Sequence, residues 1–314
     1  MRSIYLPPVF PSSCASYGFS NAQSRIREAL ELKGATFSIK AGIELHHMSS
    51  HLYKRSWARK SILWFPYEAD VIHSDLINHA NKADELIASC PHNRDVFMSG
   101  GITIPIHVCN LGVDADKYRP SGGKNKDVFI FLWVGQNNIR KGWDLVSKAF
   151  AEEFSPNENV RLYMKTTAAH FQEVYQVQEN IIVDSRNISE ADMLDLYSMS
   201  HAFVFPSRGE GTGLPAMEAM ACGSLVIAPP IQGMKEFVTE GTALTLEHEL
   251  VGANYGIDMK VPSAKMADLK KKMRIAYEQY DSFSGVINEG VRLIHNRFSL
   301  NSMGNALVKI LWGS

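Results

Sequence analysis

The sequence is short of cysteine, of net charge and of long apolar runs, and each shortage excludes a class of protein. Four cysteines stand in 314 residues, at positions 14, 90, 109 and 222. No two are spaced as a zinc or redox motif, so a disulfide-stapled secreted scaffold is excluded and a reducing cytoplasm is the expected home. Lysine and arginine total 32 against 33 aspartates and glutamates, a formal net charge of −1, which leaves no global basic field to gather nucleic acid. The longest apolar run, residues 128–134, falls far below the roughly 20 residues of a membrane span. Residues 1–8 read as a first strand rather than a secretory leader, since their apolar run is too short and no small-residue cleavage site follows.

What is present is an ordinary globular composition, 45% hydrophobic and 21% charged, in a length that suits two domains. Short apolar runs alternate with amphipathic helical ones from end to end, which is the pattern of an α/β chain with helices on both faces of parallel sheets. Strands are expected at residues 3–6, 36–39, 43–46, 61–65, 86–89 and 106–109, with a helix at 21–33 stopped by Gly34. Residues 118–126, Tyr-Arg-Pro-Ser-Gly-Gly-Lys-Asn-Lys, are rich in turn residues and aperiodic, and read as a linker. A second set of strands follows at 128–134, 159–164, 181–184, 202–205, 225–228 and 243–246. Helices are expected at 143–150 and at 190–197, the latter opened by Ser189 as N-cap, and residues 264–280, 281–297 and 301–312 close the chain as helices.

From 205 to 223 the chain reads Phe-Pro-Ser-Arg-Gly-Glu-Gly-Thr-Gly-Leu-Pro-Ala-Met-Glu-Ala-Met-Ala-Cys-Gly. An apolar strand precedes it and a helix follows, with Pro215 in the first turn, where a missing N–H has no consequence. Gly209, Gly211 and Gly213 let the backbone come close to a ligand, and the free N–H groups of Gly211, Thr212, Gly213 and Leu214 offer partial positive charge to a phosphate or sugar oxygen. Glu218, one turn into the helix, can accept hydrogen bonds from a diol such as a ribose, and Glu210 on the loop is left for another part of the ligand. A second loop, Val134-Gly-Gln-Asn-Asn-Ile-Arg-Lys-Gly142, sets Arg140 and Lys141 at the mouth of the same sheet, where two cations would offset a diphosphate.

Glu210 and Glu218 stand in a Glu-x7-Glu relation, and with the flanking Pro-Ser, Gly-x-Gly-Leu-Pro and Glu-Ala-Met-Ala-Cys-Gly the stretch resembles the signature of retaining glycosyltransferases of family 4. That resemblance implies a GT-B architecture, two Rossmann-like domains with parallel sheets facing a cleft and a C-terminal helix crossing back to the first domain. Residues 1–120 would form the acceptor-side domain, with the crossing helix at 298–314, and residues 121–297 the nucleotide-sugar-binding domain. It further implies retaining transfer from a UDP- or GDP-sugar to a hydroxyl-bearing acceptor such as a glycan or a lipid, with no metal and no cofactor beyond the donor. Glu210 would then attend the transferred sugar, Lys141 and Arg140 the diphosphate, and Glu218 the ribose. Lys141 matches the family's lysine, whereas Gln136 stands where its arginine is expected, and Arg140 from the next turn is the candidate replacement.

Three further positions follow from the same resemblance. Asn187 and Ile188 lie in the loop at 184–188, which matches the stretch that holds the nucleobase through backbone groups. Gly18, between the first strand and helix, resembles the glycine loop that lies against the donor diphosphate or the acceptor. His46 or His47, ending a strand, matches a histidine that hydrogen-bonds the transferred sugar, and strand alternation decides which of the two faces the cleft. Trp64-Phe-Pro-Tyr-Glu68 and Val108-Cys-Asn-Leu-Gly-Val-Asp114 carry the likeness into the first domain, with Glu68 read as a surface carboxylate.

Two other readings use these residues. A module that binds nucleotide sugars without transferring them would keep the same loops, and a first domain of about 120 residues is short for the architecture though ordinary for a domain. A glycosyltransferase acting on nucleic acid would use the basic cluster of Lys54, Arg55, Arg59 and Lys60 around Trp57. That cluster is otherwise a solvated face or a candidate contact to an anionic acceptor or a membrane surface, which would make a cytoplasmic protein peripheral at the membrane.

Overall fold

The computed structural model describes residues 2–8, 16–166, 174–254 and 258–313. Apolar runs without polar alternation become strands covered on both faces. In the first half these are β1 (Ser3–Ile4), β2 (Thr36–Phe37), β3 (Ile43–His47), β4 (Lys60–Phe65), β5 (Glu85–Ala88) and β6 (Ile106–Val108). The last four form a parallel sheet in that order. β1, paired in parallel with β2, joins β3 through the Tyr5–Glu44 bridge, so the spatial order is β2-β1-β3-β4-β5-β6. Helix α1 (Ser16–Glu31) covers one face, and α2 (Ser74–Ala80) and α3 (Pro91–Gly100) connect the later strands. α1 ends as expected before Gly34, which takes φ 74°, but it starts earlier than its apolar spacing suggests. Residues 16–20, Ser-Tyr-Gly-Phe-Ser, read as a loop because of their glycine, yet they continue the same helix.

The second half holds β7 (Phe129–Val134), α4 (Trp143–Glu153), β8 (Val160–Lys165), β9 (Val174–Gln178), β10 (Ile181–Asp184), α5 (Glu190–Met199), β11 (Ala202–Val204), α6 (Leu214–Ala221), β12 (Leu225–Ala228) and β13 (Leu244–Thr245). They build a seven-stranded sheet ordered β13-β12-β11-β7-β8-β10-β9, parallel throughout except for the edge strand β9, which runs antiparallel to β10. Ser189 caps α5 in a reciprocal capping box with Asp192. An antiparallel hairpin, β14 (His248–Asn254) and β15 (Asp258–Ala264), stands outside both sheets. Sequence periodicity did not announce it.

The chain then closes with α7 (Met266–Glu278), α8 (Ser284–Arg297) and α9 (Leu300–Trp312). α9 crosses back: Leu300, Met303, Leu307 and Leu311 share one buried core with Ile26, Ala29 and Leu30 of α1. A Cβ on Gly304 would come within 2.5 Å of the Ala29 carbonyl oxygen, so glycine is what lets the two helix backbones touch. The crossing is pinned by a parallel bridge between Val113 and Ser299. The stretch read as a linker is anchored rather than free: Tyr118 is buried with the Arg25 guanidinium 5.3 Å above its ring, and the Asn125 side chain accepts from the Asp127 and Val128 amides at 2.9 Å. Among the described residues no helix is long and apolar enough to cross a membrane.

Candidate functional site

The order of the second sheet reverses between β7 and β11, and in such sheets ligands lodge beyond the carboxyl ends of the strands at the reversal. The loops leaving those two strands carry Arg140 with Lys141 and Glu210. They pack tightly because Gly142, at φ 72°, has no Cβ; one there would sit 2.2 Å from the Pro206 carbonyl oxygen. Asn138 caps the turn by accepting from the Lys141 amide at 3.1 Å. The Trp133 indole donates to the Lys141 carbonyl at 3.1 Å, and Arg208 grips Asp144 through two bonds of 2.9 and 2.8 Å.

On this frame Lys141 Nζ stands 2.6 Å from Glu210 Oε1, Ser207 Oγ donates to the same oxygen at 2.8 Å, and Arg140 Nη1 lies 3.7 Å away. Glu210 is buried. Burial works against its charge, but Lys141 and then Arg140 outweigh it and hold the carboxyl below the usual carboxylate range. The site is thus a charged carboxylate with two cations, at the start of a glycine-rich turn whose Gly213 takes φ 82° to open α6.

The first sheet supplies the opposite wall through the loop after β4. Arg140 Nη2 is 3.4 Å from Glu68 Oε1, which makes Glu68 an inter-sheet partner rather than the plain surface carboxylate its sequence suggests. A Cβ on Gly209 would meet the Glu68 carbonyl oxygen at 2.5 Å, and one on Gly211 the Tyr67 carbonyl oxygen at 3.0 Å. Tyr67, Glu68, His73, Asn138, Arg140 and Met259 line a cavity of about 580 Å³ beside these contacts. Met259 comes from the β14–β15 hairpin.

Glu218 faces inward from α6 and both its oxygens are engaged. Oε1 pairs with the Arg25 guanidinium of α1, and Tyr197 donates to Oε2 at 2.7 Å. Arg25 is itself buried and also donates to the Gly112 carbonyl at 3.1 Å. An ionised carboxylate offers about four lone-pair sites, so Glu218 retains acceptor capacity, but it also serves as an ionic tie between the two halves of the chain. Sequence reading missed Arg25, whose partner lies 193 positions away.

Both histidines end β3 and are buried, on opposite faces of the strand. His46 Nε2 lies 3.2 Å from Glu44 Oε1 and its ring meets Tyr53 edge-on. His47 meets Trp64 edge-on. Burial lowers both pKa values, that of His47 to about 4, so His47 is neutral at pH 7. The ion-pair cluster around Glu210 is built without either of them. Gly18 lies inside α1 rather than in a loop before it; its glycine signal is a helix-start residue, not a free turn. Asn187 and Ile188 follow β10 as expected, in a loop held by the buried Lys165, whose ammonium donates to the carbonyls of Thr166 at 2.8 Å and Arg186 at 2.5 Å. A cavity of about 260 Å³ opens there, lined in part by Tyr163, Asp184, Arg186, Ile188 and Asp192.

The basic cluster at 54–60 leads into the amino end of β4, the end of the sheet opposite the cleft. Arg55 pairs with Asp84 and Lys60 with Glu85, while Trp57 is 64% exposed. Cys90, Cys109 and Cys222 are free and buried, and Cys14 lies outside the described residues. Among the described residues no group of three or more His, Cys, Asp or Glu side chains is arranged to hold a metal ion.

Residues 114–251 match the family described as glycosyl transferases group 1. The chain is 26% identical over 185 residues to D-inositol 3-phosphate glycosyltransferase 1 of Catenulispora acidiphila, an overlap of 51% of this chain and 44% of that protein. It is 22% identical over 224 residues to mannosylfructose-phosphate synthase of Agrobacterium fabrum, covering 64% and 49% respectively. The chain thus spans about half the length of the curated relatives it matches. The crystal structure of HepE from Anabaena in complex with UDP-glucose superposes along the whole of both chains, with a TM-score of 0.73 at 14% identity. The architecture is therefore GT-B, as the strand order and crossing helix imply, and its residues 114–251, which hold Lys141, Glu210 and Glu218, carry the glycosyl transferases group 1 match.

Proposed function

We propose that this protein is a retaining glycosyltransferase of family 4 that moves a sugar from a nucleoside-diphosphate sugar to a hydroxyl-bearing acceptor. The observation that carries the reading is the Glu210 carboxylate 2.6 Å from Lys141 at the reversal point of the second sheet, facing the first sheet across the cleft. HepE, which shares the fold, was solved with UDP-glucose, and this supports a UDP-sugar as donor. The diphosphate rests against Lys141, Arg140 and the amides of Gly211 to Leu214, where negative charge develops as the leaving group departs. Glu218 accepts from the ribose with its remaining lone pairs, and the base enters the cavity beside Arg186 and Ile188. The acceptor approaches through the larger cavity lined by Tyr67, Glu68 and Met259.

In the transfer step the acceptor oxygen forms a bond to the anomeric carbon while the bond from that carbon to the diphosphate oxygen breaks, and the acceptor proton passes to the departing diphosphate. Glu210 orients the sugar hydroxyls and stabilises the positive charge that builds on the ring. Closure of the first sheet over the site excludes water, which would otherwise take the sugar. A thermal-shift screen against UDP- and GDP-sugars tests donor binding, since a ligand of the folded state raises the melting temperature by mass action. Release of nucleoside diphosphate on adding acceptor tests transfer, and no shift with any nucleotide sugar would refute the reading.

A further inference from the structure

Gln232 is the one non-glycine among the described residues with a positive φ, at 42°. L-residues with a side chain enter that region at a cost, and such strain persists where the surroundings impose it. Gln232 is buried and its amide is used at both ends. Oε1 accepts from the Glu210 backbone amide at 2.7 Å, and Nε2 donates across the cleft to Asp70 Oδ1 at 3.1 Å. The orientation of the amide is fixed by its partners, because an N–H can only donate and a carboxylate can only accept. Asp70 is held in turn by His92, whose Nε2 lies 2.9 Å from the same oxygen. The next residue completes the grip: the Gly233 amide donates to the Glu210 carbonyl at 3.2 Å. A Cβ there would sit 2.1 Å from the Gly211 carbonyl oxygen.

Both backbone groups of Glu210 are thus held by residues 232 and 233, and one of those bonds is made by a side chain whose other end is anchored in the first sheet's half of the chain. We infer that Gln232 is a positioning residue that couples the Glu210 loop to Asp70, so that Glu210 is fully aligned only when the loop after β4 is docked. The inference rests on the transfer reading for its activity readout, but its structural readout does not. The coupling gives a physical route by which closing the cleft readies the sugar side of the site before bond breaking, as expected of an enzyme that must avoid hydrolysing its donor.

The test uses the full chain. Gln232→Glu keeps an acceptor for the Glu210 amide but removes the donor to Asp70 and opposes two carboxylates. It is expected to lower kcat about tenfold while the KM for the sugar nucleotide stays within about twofold. Asp70→Asn returns a donor to that contact, and the double variant Gln232→Glu with Asp70→Asn is expected to recover most of the loss. Gln232→Gly, which relieves the backbone strain but removes the side chain, is expected to lose kcat while retaining its melting temperature. Hydrogen exchange of residues 206–213 is expected to quicken in Gln232→Glu and to slow again in the double variant. An unchanged kcat in Gln232→Glu, or losses that simply multiply in the double variant, overturns the coupling. Should the wild-type chain transfer no sugar at all, the transfer reading fails, and the exchange data alone decide: no change in residues 206–213 overturns the coupling, and the quickening with its reversal upholds it.

Discussion

Replacing Lys141 with methionine removes the nearer cation from Glu210 while keeping the length and packing of the side chain. Glu210 is then left with Arg140 at 3.7 Å and the Ser207 hydroxyl at 2.8 Å, its side chain still only 5% exposed. Stripping a partner from a buried ion pair costs about 3–5 kcal/mol when nothing else compensates; with Arg140 and Ser207 in place, a loss of about 2 kcal/mol at pH 7 is expected. The pH dependence is the sharper test. In the wild type the Glu210 pKa is below its ordinary 4.5, so its stabilisation is complete above that value and fades as pH falls through the folded-state pKa. In the variant, burial is opposed by fewer charges and the folded-state pKa rises. Once it lies above 4.5, the folded protein takes up a proton before the unfolded chain does, and acidification relieves the penalty by about 1.4 kcal/mol for each unit of upward shift. Urea unfolding of both proteins at pH 7 and pH 5 should therefore show the gap between them narrowing at the lower pH. A gap of constant size, or none at pH 7, would refute the account of how Glu210 keeps its charge.

Other consequences are checked more simply. Gly209→Ala should drive a methyl group into the Glu68 carbonyl oxygen and pry the two walls apart, so nucleotide binding measured by calorimetry persists while turnover collapses; wild-type turnover would show that the walls need not meet. Glu218→Met should destabilise the fold by about 3–5 kcal/mol because Arg25 is left buried and unpaired. Adding Arg25→Met should restore stability but not UDP affinity, and restored affinity would remove Glu218 from the ribose site. On the proposed reading, in which Lys141, Arg140 and the amides at the head of α6 supply the positive charge, chelation with EDTA should leave nucleoside diphosphate release unchanged; loss of activity reversed by added metal would contradict it.

Most of the second sheet was legible because strands such as β7, β11 and β12 are short apolar runs, though the edge strand β9, Val-Tyr-Gln-Val-Gln, was not expected; the Glu210 and Lys141 loops were legible because glycine, proline and charge mark strand-to-helix turns at fixed spacing. What stayed hidden depends on partners far apart in sequence. Arg25 reads as a solvated position on an amphipathic helix until Glu218 is folded against it, and Gln232 reads as an ordinary loop residue until Asp70 arrives from the other sheet. Gly18 misled for a local reason: glycine usually punctuates a loop, and here the helix simply runs through it. The short helices α2 and α3 and the hairpin β14–β15 lack the long periodic stripe that makes an element visible, and their places are set by what they pack on.

The return of α9 to α1 bears on how the chain is made. A chain emerging from the ribosome ordinarily folds its first unit before the next appears, but here Leu300, Met303, Leu307 and Leu311 are part of the core that covers Ile26, Ala29 and Leu30. Until those last turns are synthesised, α1 keeps an apolar face open to solvent and to other chains. The first unit is therefore completed only after the second sheet has been made, although its own strands come first in the chain.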